Sequence, residues 1–371
     1  MNFDSILPDN IKRLKGYVAG KTIAEVQSLY KPKQISKLAS NENRMGCSER
    51  VKQAVLDSLS EIQDYPDPVA GKLRKKIAKM NGVKESEVLL AAGSESLISV
   101  ICRAFFKDGE HAITADATFV GFFVQAGVRG ISVNRIPLDQ NYKFDVDAIL
   151  DSVNDDTKMV YLANPNNPTG TFLVRDEYLK LLKGLPDHVL LINDEAYFEY
   201  AISNPDYPDS VSQRRDNVVI LRTFSKAYGL AGFRIGYAIA HERLISEMSK
   251  VRLTFEPTTP AQAAALAALD DQEFISRSVD SVSRGRESLY SFFDRNSVKY
   301  VESDSNSVLM ILESEEEAIN FTERMLKLGV ILRRVGAFGL PHCIRITIGK
   351  EQEMEHFMES FLTVFETSEK G

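Results

Sequence analysis

The middle of the chain alternates between short apolar runs and segments with helical periodicity. Each run has four to six residues and is bounded by Gly, Asn, Asp or Ser. Strands that are buried on both faces have this composition, and they occur in parallel sheets that helices cover on both sides. The alternation therefore predicts an α/β fold with a mostly parallel sheet, whose strands would be Val88–Ala91, Ala112–Ala115, Ile131–Ile136, Met159–Ala163, Val189–Ile192, Val218–Leu221 and Ile235–Ala240.

The length of 371 residues exceeds what one hydrophobic core usually holds, and at roughly 150 residues per domain it predicts two domains. After about residue 242 the pattern changes to a helical region up to about residue 270, a charged helix near 271–295, and then a strand, a helix and two more strands. This order suggests an α+β unit. We expect an N-terminal segment (1–45) that packs on the small domain, a large α/β domain (46–255) and a small α+β domain (256–371).

Charge and cysteine content exclude several kinds of protein. The chain has 45 Lys and Arg against 52 Asp and Glu, a net charge of −7, and no basic block, so we expect neither a nucleic-acid nor a membrane partner. Its three cysteines lie far apart without metal-site spacing, so we expect no metal and a reduced compartment. We find no signal peptide and no run of ~18 apolar residues. These features favour a cytoplasmic protein with small-molecule substrates.

Polar residues follow several of the predicted strands at the points where these strands end. One strand leads into Gly93-Ser94-Glu95 and a helix, and three others lead into Asn164–Gly170, Asn193–Tyr197 and Arg222–Lys226. Ligands of an open parallel sheet bind beyond the carboxyl ends of its strands. Each segment alone also fits a structural interpretation, such as a turn, a helix cap or a surface lysine. Together they predict one site where an amide, a carboxylate, a phenol, hydroxyls and a lysine converge.

Each of these groups has a role in binding an aldehyde that carries a pyridine ring and a phosphate. A lysine in a partly dry pocket can form a Schiff base with the aldehyde. A carboxylate opposite the pyridine nitrogen keeps the ring protonated, so that the ring withdraws electrons. A helix that starts at Gly93-Ser94 offers backbone N–H groups to a phosphate, and Thr223, Ser225 and Arg234 add hydroxyls and a guanidinium. The residues therefore predict a site for pyridoxal 5′-phosphate (PLP).

Six motifs give the chain a resemblance to a known family. RTFSKAYGLAGFRIGYAI, residues 222–239, resembles the lysine motif of the fold-type I PLP-dependent aminotransferases, and the likeness is closest to the histidinol-phosphate aminotransferase family. The motifs KLASNEN, YPDP, NPNNPTGT, NDEAYFEY and GVILRRVGAFGLPHCIRITIG are similar to that family's and follow its order. The resemblance samples the chain from about residue 17 to 350. It implies the PLP-dependent transferase fold type I and a homodimer with shared active sites.

The resemblance also implies an activity and the residues that perform it. The activity would be amino transfer from histidinol phosphate to 2-oxoglutarate, a step of histidine biosynthesis, by a ping-pong mechanism through a Schiff base on Lys226. Asp194 would pair with the pyridinium nitrogen, and Asn167 and Tyr197 would bond the ring hydroxyl. The other cofactor contacts would be Gly93, Ser94, Glu95, Thr223, Ser225 and Arg234 at the phosphate, Phe119 stacked on the ring where the family usually has Tyr, and Tyr65 donated to the neighbouring subunit.

Residues 344–348 (IRITI) alternate with the period of a strand, which puts the isoleucines on one face and Arg345 on the other. The isoleucine face would pack on the core, and the guanidinium would enter the cleft, where its planar fork suits a carboxylate. By resemblance, Arg345 binds the α-carboxylate of glutamate or the phosphate of the substrate. The resemblance also assigns substrate contacts to Tyr17, Asn43 and Arg333.

Three places depart from the family pattern: Arg44-Met45, residues 254–259 (TFEPTT) and Ser307. They leave the PLP chemistry intact and bear on recognition of the imidazole ring, and Arg44 could add an anion contact. An aromatic amino acid aminotransferase and a phospho-amino-acid decarboxylase of the same superfamily are therefore alternatives. A PLP-binding regulatory module is disfavoured, because the chain has no DNA-binding segment.

Overall fold

The computed structural model describes residues 5–14 and 20–366. Its strands form three sheets, of seven, four and two strands. In chain order the strands are β1 Ser36–Lys37, β2 Val88–Ala91, β3 His111–Ala115, β4 Ser132–Ile136, β5 Thr157–Ala163, β6 Leu190–Asp194, β7 Val218–Thr223, β8 Gly236–Ala240, β9 Lys299–Val301, β10 Ser307–Ile311, β11 Val330–Ile331, β12 Arg333–Val335 and β13 Leu340–Thr347.

Helices cover the sheets and connect most of their strands. In chain order the α-helices are α1 Asp9–Arg13, α2 Ile23–Tyr30, α3 Glu49–Ser58, α4 Gly71–Asn81, α5 Ser94–Phe105, α6 Val120–Arg129, α7 Val146–Asp151, α8 Arg175–Gly184, α9 Phe198–Ala201, α10 Ser210–Gln213, α11 Glu242–Val251, α12 Thr259–Leu269, α13 Gln272–Arg295, α14 Glu315–Lys327 and α15 Glu351–Glu366. In the described ranges, none of them is long and apolar enough to cross a membrane.

The seven-stranded sheet has the order β2-β8-β7-β6-β5-β3-β4. Its neighbouring strands are parallel, except that β8 runs antiparallel to both β2 and β7. Each of the seven predicted strands forms one strand of this sheet, which confirms the α/β fold with a mostly parallel sheet. Both faces are buried over most of the sheet: the neighbours Val160 and Tyr161 of β5 lie in separate core clusters on opposite faces. The edge strand β4 departs from the prediction, because Ser132, Asn134 and Arg135 are exposed.

The four-stranded sheet β12-β13-β10-β9 is antiparallel. Ile344 and Ile346 of β13 are buried in the same core cluster as Phe293 of α13 and Phe357 of α15, whereas Arg345 lies on the other face. The predicted alternation of this strand is therefore confirmed, and it aims the arginine away from the core.

The N-terminal segment contacts both parts of the chain. Its strand β1 pairs in parallel with β11, beside the small sheet. Asn10 of α1 instead donates a hydrogen bond of 2.9 Å to the carbonyl of Val128 in α6, beside the large sheet. The limits 1–45, 46–255 and 256–371 stay a prediction.

The helical region expected from about residue 242 to 270 is two helices, α11 and α12, separated by residues 252–258. Pro257 lies in this connection, and a proline disfavours helical geometry in the residue that precedes it. Thr258 then starts α12, since its side chain accepts a hydrogen bond from the backbone N–H of Ala261. Pro257 and Thr258 are therefore the sequence signals that mark this break.

Candidate active site

A cavity of about 350 Å³ lies at the carboxyl ends of β5, β6 and β7. This is the edge of a parallel sheet at which ligands bind, because the strands end there and their connecting loops diverge. Most of the predicted cofactor residues line this one cavity, namely Ser94, Glu95, Phe119, Asn167, Asp194, Tyr197, Thr223, Ser225, Lys226 and Arg234.

Asp194, the last residue of β6, is 3% exposed. Its Oδ2 accepts a hydrogen bond of 2.8 Å from the hydroxyl of Tyr161, whereas its buried Oδ1 has no hydrogen-bond partner among the described residues. Burial raises the pKa of Asp194 to about 6, although hydrogen bonding from Tyr161 and from the backbone N–H of Ala196, and the charge of Lys226, act in the opposite direction. A buried acceptor without a partner needs a donor, and a protonated pyridine nitrogen supplies one of opposite charge.

Lys226 lies in the loop that follows β7 and is half-buried. Its Nζ is 5.6 Å from the centroid of the Tyr197 ring. Its positive charge lowers the pKa of Asp194, so the ammonium is within electrostatic range of that carboxyl. The side chain lines both the cofactor cavity and a larger cavity beside it, which is the position that a lysine joining cofactor and substrate chemistry requires.

Two amides orient the phenol and the arginine at the cavity wall. Asn41 Nδ2 donates to the Tyr197 hydroxyl oxygen at 2.9 Å, and Asn167 Oδ1 accepts from Arg345 Nη1. Because the Tyr197 oxygen accepts this bond, its own proton can be donated elsewhere. Tyr197 and the amide nitrogen of Asn167 can therefore both donate to an oxygen in the cavity, such as the ring hydroxyl of PLP.

The anion end of the cavity combines the start of α5 with a turn after β7. Gly93, the N-cap of α5, has φ +89°, and a Cβ there would lie 2.9 Å from Arg234 Nη2. The guanidinium therefore packs directly on the helix start. Thr223 and Arg234 both donate to the Ser225 hydroxyl, at 3.0 and 3.4 Å. Backbone N–H groups, hydroxyls and a guanidinium around one space are a suitable donor set for a phosphate.

Phe119 precedes α6 and lines the cavity. Its ring is packed against Gly121, where a Cβ would lie 2.5 and 2.6 Å from the Cε1 and Cζ atoms of the ring. Only glycine leaves room for the ring in this position. The arrangement presents a flat aromatic face without a hydroxyl, which suits stacking on a pyridine.

The larger cavity, of about 870 Å³, shares Lys226 with the first and is also lined by Arg333 and Arg345. These arginines are paired residues on the neighbouring antiparallel strands β12 and β13, so their side chains share a face. Their guanidinium carbons lie 5.8 and 5.5 Å from the centroid of the Phe338 ring. Like charges directly opposite each other repel, so this pair favours an anion bound between them.

Asn43 and Tyr65, two of the predicted contacts, do not line either cavity. Asn43 donates through Nδ2 to the carbonyl of Ala227 at 2.8 Å, and the structure does not bring its side chain to either lining. Tyr65 is 80% exposed and stacks on Phe255, with ring centroids 4.3 Å apart. Tyr17 lies outside the described residues.

The departures from the family pattern occupy different places. Arg44 forms an ion pair of 2.6 Å with Glu353 and lines neither cavity. Phe255, in the 254–259 segment, packs on Tyr65 at the surface. Ser307 is buried, and its hydroxyl accepts a hydrogen bond of 3.1 Å from Asn41.

Sequence reasoning missed two residues that hold the cofactor cavity together, Tyr161 and Asn41. Each had a signal in the sequence. Tyr161 places a hydroxyl inside a strand that is buried on both faces, where such a group needs a partner. Asn41 lies in the KLASNEN motif, but nothing in that motif shows which of its two asparagines faces the cavity.

The fold and this site define a PLP-type aminotransferase architecture, and comparison with known proteins gives the same class. The family model described as aminotransferase class I and II matches residues 33–361. The chain therefore belongs to the aminotransferase class I and II family and is a transaminase.

Individual relatives are similar over nearly the whole chain. This chain is 41% identical to histidinol-phosphate aminotransferase of Geobacillus sp. (strain WCH70), and the match covers 94% of this chain and 95% of the relative. It is 38% identical to the enzyme of that name from Bacillus subtilis (strain 168), and that match covers 95% of this chain and 98% of the relative. A solved structure of histidinol-phosphate aminotransferase from Sinorhizobium meliloti, in complex with pyridoxal-5′-phosphate, superposes with a TM-score of 0.90 at 26% identity and covers 98% of each chain.

Proposed function

We propose that this chain is a PLP-dependent aminotransferase whose substrates are histidinol phosphate and 2-oxoglutarate. The main observation in favour of this substrate is the pair Arg333 and Arg345, which are cross-strand neighbours on one wall of a cavity that Lys226 also lines. Two guanidiniums can neutralise a phosphate dianion, whereas the single carboxylate of an aromatic amino acid needs one. The names of relatives about 40% identical over most of the chain support the same substrate.

The cofactor cavity supplies a partner for each part of PLP. The ring nitrogen would face Asp194 Oδ1, the ring hydroxyl would face Tyr197 and Asn167, and the ring face would lie on Phe119. The phosphate would occupy the space bounded by the start of α5, the hydroxyls of Thr223 and Ser225, and the Arg234 guanidinium, with Gly93, Ser94 and Glu95 contributing from the helix start. When bound, PLP supplies an aldehyde that a lysine can attack and a protonated ring that draws electrons from the substrate Cα.

The protein's own groups would then bind the substrate and move its proton. Lys226 would hold the cofactor and, when the substrate takes its place, move a proton between the substrate Cα and cofactor C4′, since it lines both cavities. Asp194 would hold the proton on the ring nitrogen. Arg345 would bind the α-carboxylate of glutamate in one half-reaction. In the other half-reaction, Arg345 and Arg333 together would bind the phosphate of histidinol phosphate. One site that serves two substrates in turn implies ping-pong kinetics.

We also propose a homodimer in which Tyr65 reaches the neighbouring subunit's cofactor. Tyr65 and Phe255 form an exposed stacked pair, and other exposed apolar side chains lie on α3, in the segment between α3 and α4, and in the connection between α11 and α12. Unpaired apolar surface of this kind marks an interface. These exposed residues are Leu56, Leu59, Ile62, Val69 and Leu253. A cytoplasmic location stays a prediction from the sequence.

Borohydride reduction tests the proposed function. The reduced, PLP-loaded protein should carry the cofactor on the peptide that contains Lys226. In a separate sample, unreduced enzyme that is incubated with glutamate should release 2-oxoglutarate. Label on another lysine would refute the assigned residue. Release of carbon dioxide from a phosphorylated amino acid, with no keto acid formed, would identify the decarboxylase alternative.

A further inference from the structure

Tyr161 lies beside the cofactor cavity without lining it. Its side chain is fully buried on the face of the sheet that α5 and α6 cover. The ring stacks on Phe122 of α6, with centroids 4.3 Å apart and an interplanar angle of 7°. The hydroxyl donates to Asp194 Oδ2 at 2.8 Å. Packing therefore fixes the ring, and the carboxylate accepts its hydrogen bond.

We propose that Tyr161 is the positioning residue of this site: its hydrogen bond holds the Asp194 carboxylate with Oδ1 toward the cavity and keeps the proton on the cofactor's ring nitrogen. The inference rests on the proposed function, because it concerns a bound pyridine. Tyr161 does not touch the cofactor space, so it acts only through Asp194.

The direction of the effect follows from acid–base chemistry. A hydrogen bond to the ionised form of a carboxyl makes that carboxyl less basic. A proton shared between Asp194 Oδ1 and the ring nitrogen then stays on the nitrogen. Without the phenol proton, Asp194 becomes more basic and draws the shared proton toward itself, so the ring loses part of its positive charge.

Other charged groups face the same carboxyl. Lys226 lowers the pKa of Asp194, the neighbouring Glu195 raises it, and Glu95 from α5 acts on the Tyr161 hydroxyl. Each of them remains when Tyr161 becomes Phe. The substitution therefore isolates the phenol proton.

The start of helix α6 supports both Tyr161 and the ring of Phe119. Phe119 precedes its first residue and Phe122 follows three positions later, and the two rings pack toward the cavity and Tyr161 respectively. One helix start thus supports the ring that would cover the cofactor and the ring that holds the phenol behind Asp194.

The test is the ¹⁵N NMR shift of ring-labelled PLP bound to wild type, Tyr161→Phe and the control Tyr178→Phe, a fully buried phenol that lines neither cavity. Wild type and Tyr178→Phe should show the protonated ring nitrogen, and Tyr161→Phe a shift toward the neutral pyridine. The kcat of Tyr161→Phe should fall roughly tenfold, the equivalent of about one pKa unit at Asp194, with little change in KM.

A second variant keeps the proposal testable if Tyr161→Phe folds poorly. Phe122→Leu keeps the hydroxyl but loses the stack, and it should shift the signal in the same direction by a smaller amount. A Tyr161→Phe signal identical to that of PLP-loaded wild type would overturn this inference alone. If wild type itself failed to bind PLP, the proposed function would be overturned and this inference with it.

Discussion

Gly121→Ala separates the stability of the protein from its hold on the cofactor. The new Cβ would lie 2.5 Å from Phe119 Cε1, well inside contact distance, so the ring must leave its position over the cavity. An aromatic stack contributes about 0.5–1.5 kcal/mol, so we expect the Kd for PLP to rise about twofold to tenfold. Alanine is a better helix former than glycine by up to about 1 kcal/mol, which offsets part of the cost of overpacking at this buried position, so the Tm of the apoenzyme should fall by no more than a few degrees.

The assay is titration of the apoenzyme with PLP, paired with a thermal melt. Gly127→Ala is the matched control, because it lies on the same helix and its Cβ would meet only the flexible Leu14 side chain, at 2.7 Å. This control should bind PLP like the wild type. A Gly121→Ala protein with unchanged PLP affinity would refute the stacking role of Phe119.

Three further substitutions test the polar groups. Asp194→Asn should raise the Tm of the apoenzyme at pH 8. Because the folded pKa of Asp194 is raised from 3.8 to about 6, ionisation of this carboxyl destabilises the wild-type protein as pH rises through that window, by at most about 3 kcal/mol. In melts at several pH values, the difference in Tm between the variant and wild type should close as pH falls from 6 to 4. Arg345→Lys keeps the charge but loses the fork that bonds Asn167 and the Ala39 carbonyl, so kcat/KM for glutamate should fall roughly 30-fold or more, the equivalent of about 2 kcal/mol. Arg333→Lys should affect histidinol phosphate more than glutamate in the same steady-state assay, and equal losses for both would contradict the separate roles.

The large sheet was predictable because most of its strands are buried on both faces, which leaves a continuous apolar signal; the exposed edge strand β4 is the exception. The same principle located the cavity, since Asp194 and Lys226 follow neighbouring strands whose ends must meet. The alternation in β13 also predicted the direction of Arg345. These results depend only on local period and on strand direction.

Contacts between distant segments were not predictable from local patterns. Asn41 and Ser307 are 266 residues apart and meet at the Tyr197 side of the cavity, which no periodicity encodes. The pairing of Arg44 with Glu353 is equally remote, and it removed an arginine from the candidate anion contacts. The break between α11 and α12 differs from these contacts, because Pro257 and the N-cap residue Thr258 are local signals that mark it in the sequence.

The most direct test of the account is a single-turnover measurement with PLP-loaded enzyme and one amino donor at a time. Histidinol phosphate, phenylalanine and tyrosine should be compared by the rate at which each converts bound PLP to its aminated form. The paired arginines predict conversion by histidinol phosphate at a rate well above that of either aromatic amino acid, with the advantage reduced in Arg333→Lys. Failure of histidinol phosphate to convert the cofactor, or faster conversion by phenylalanine, would contradict the proposal that histidinol phosphate is the substrate of this enzyme.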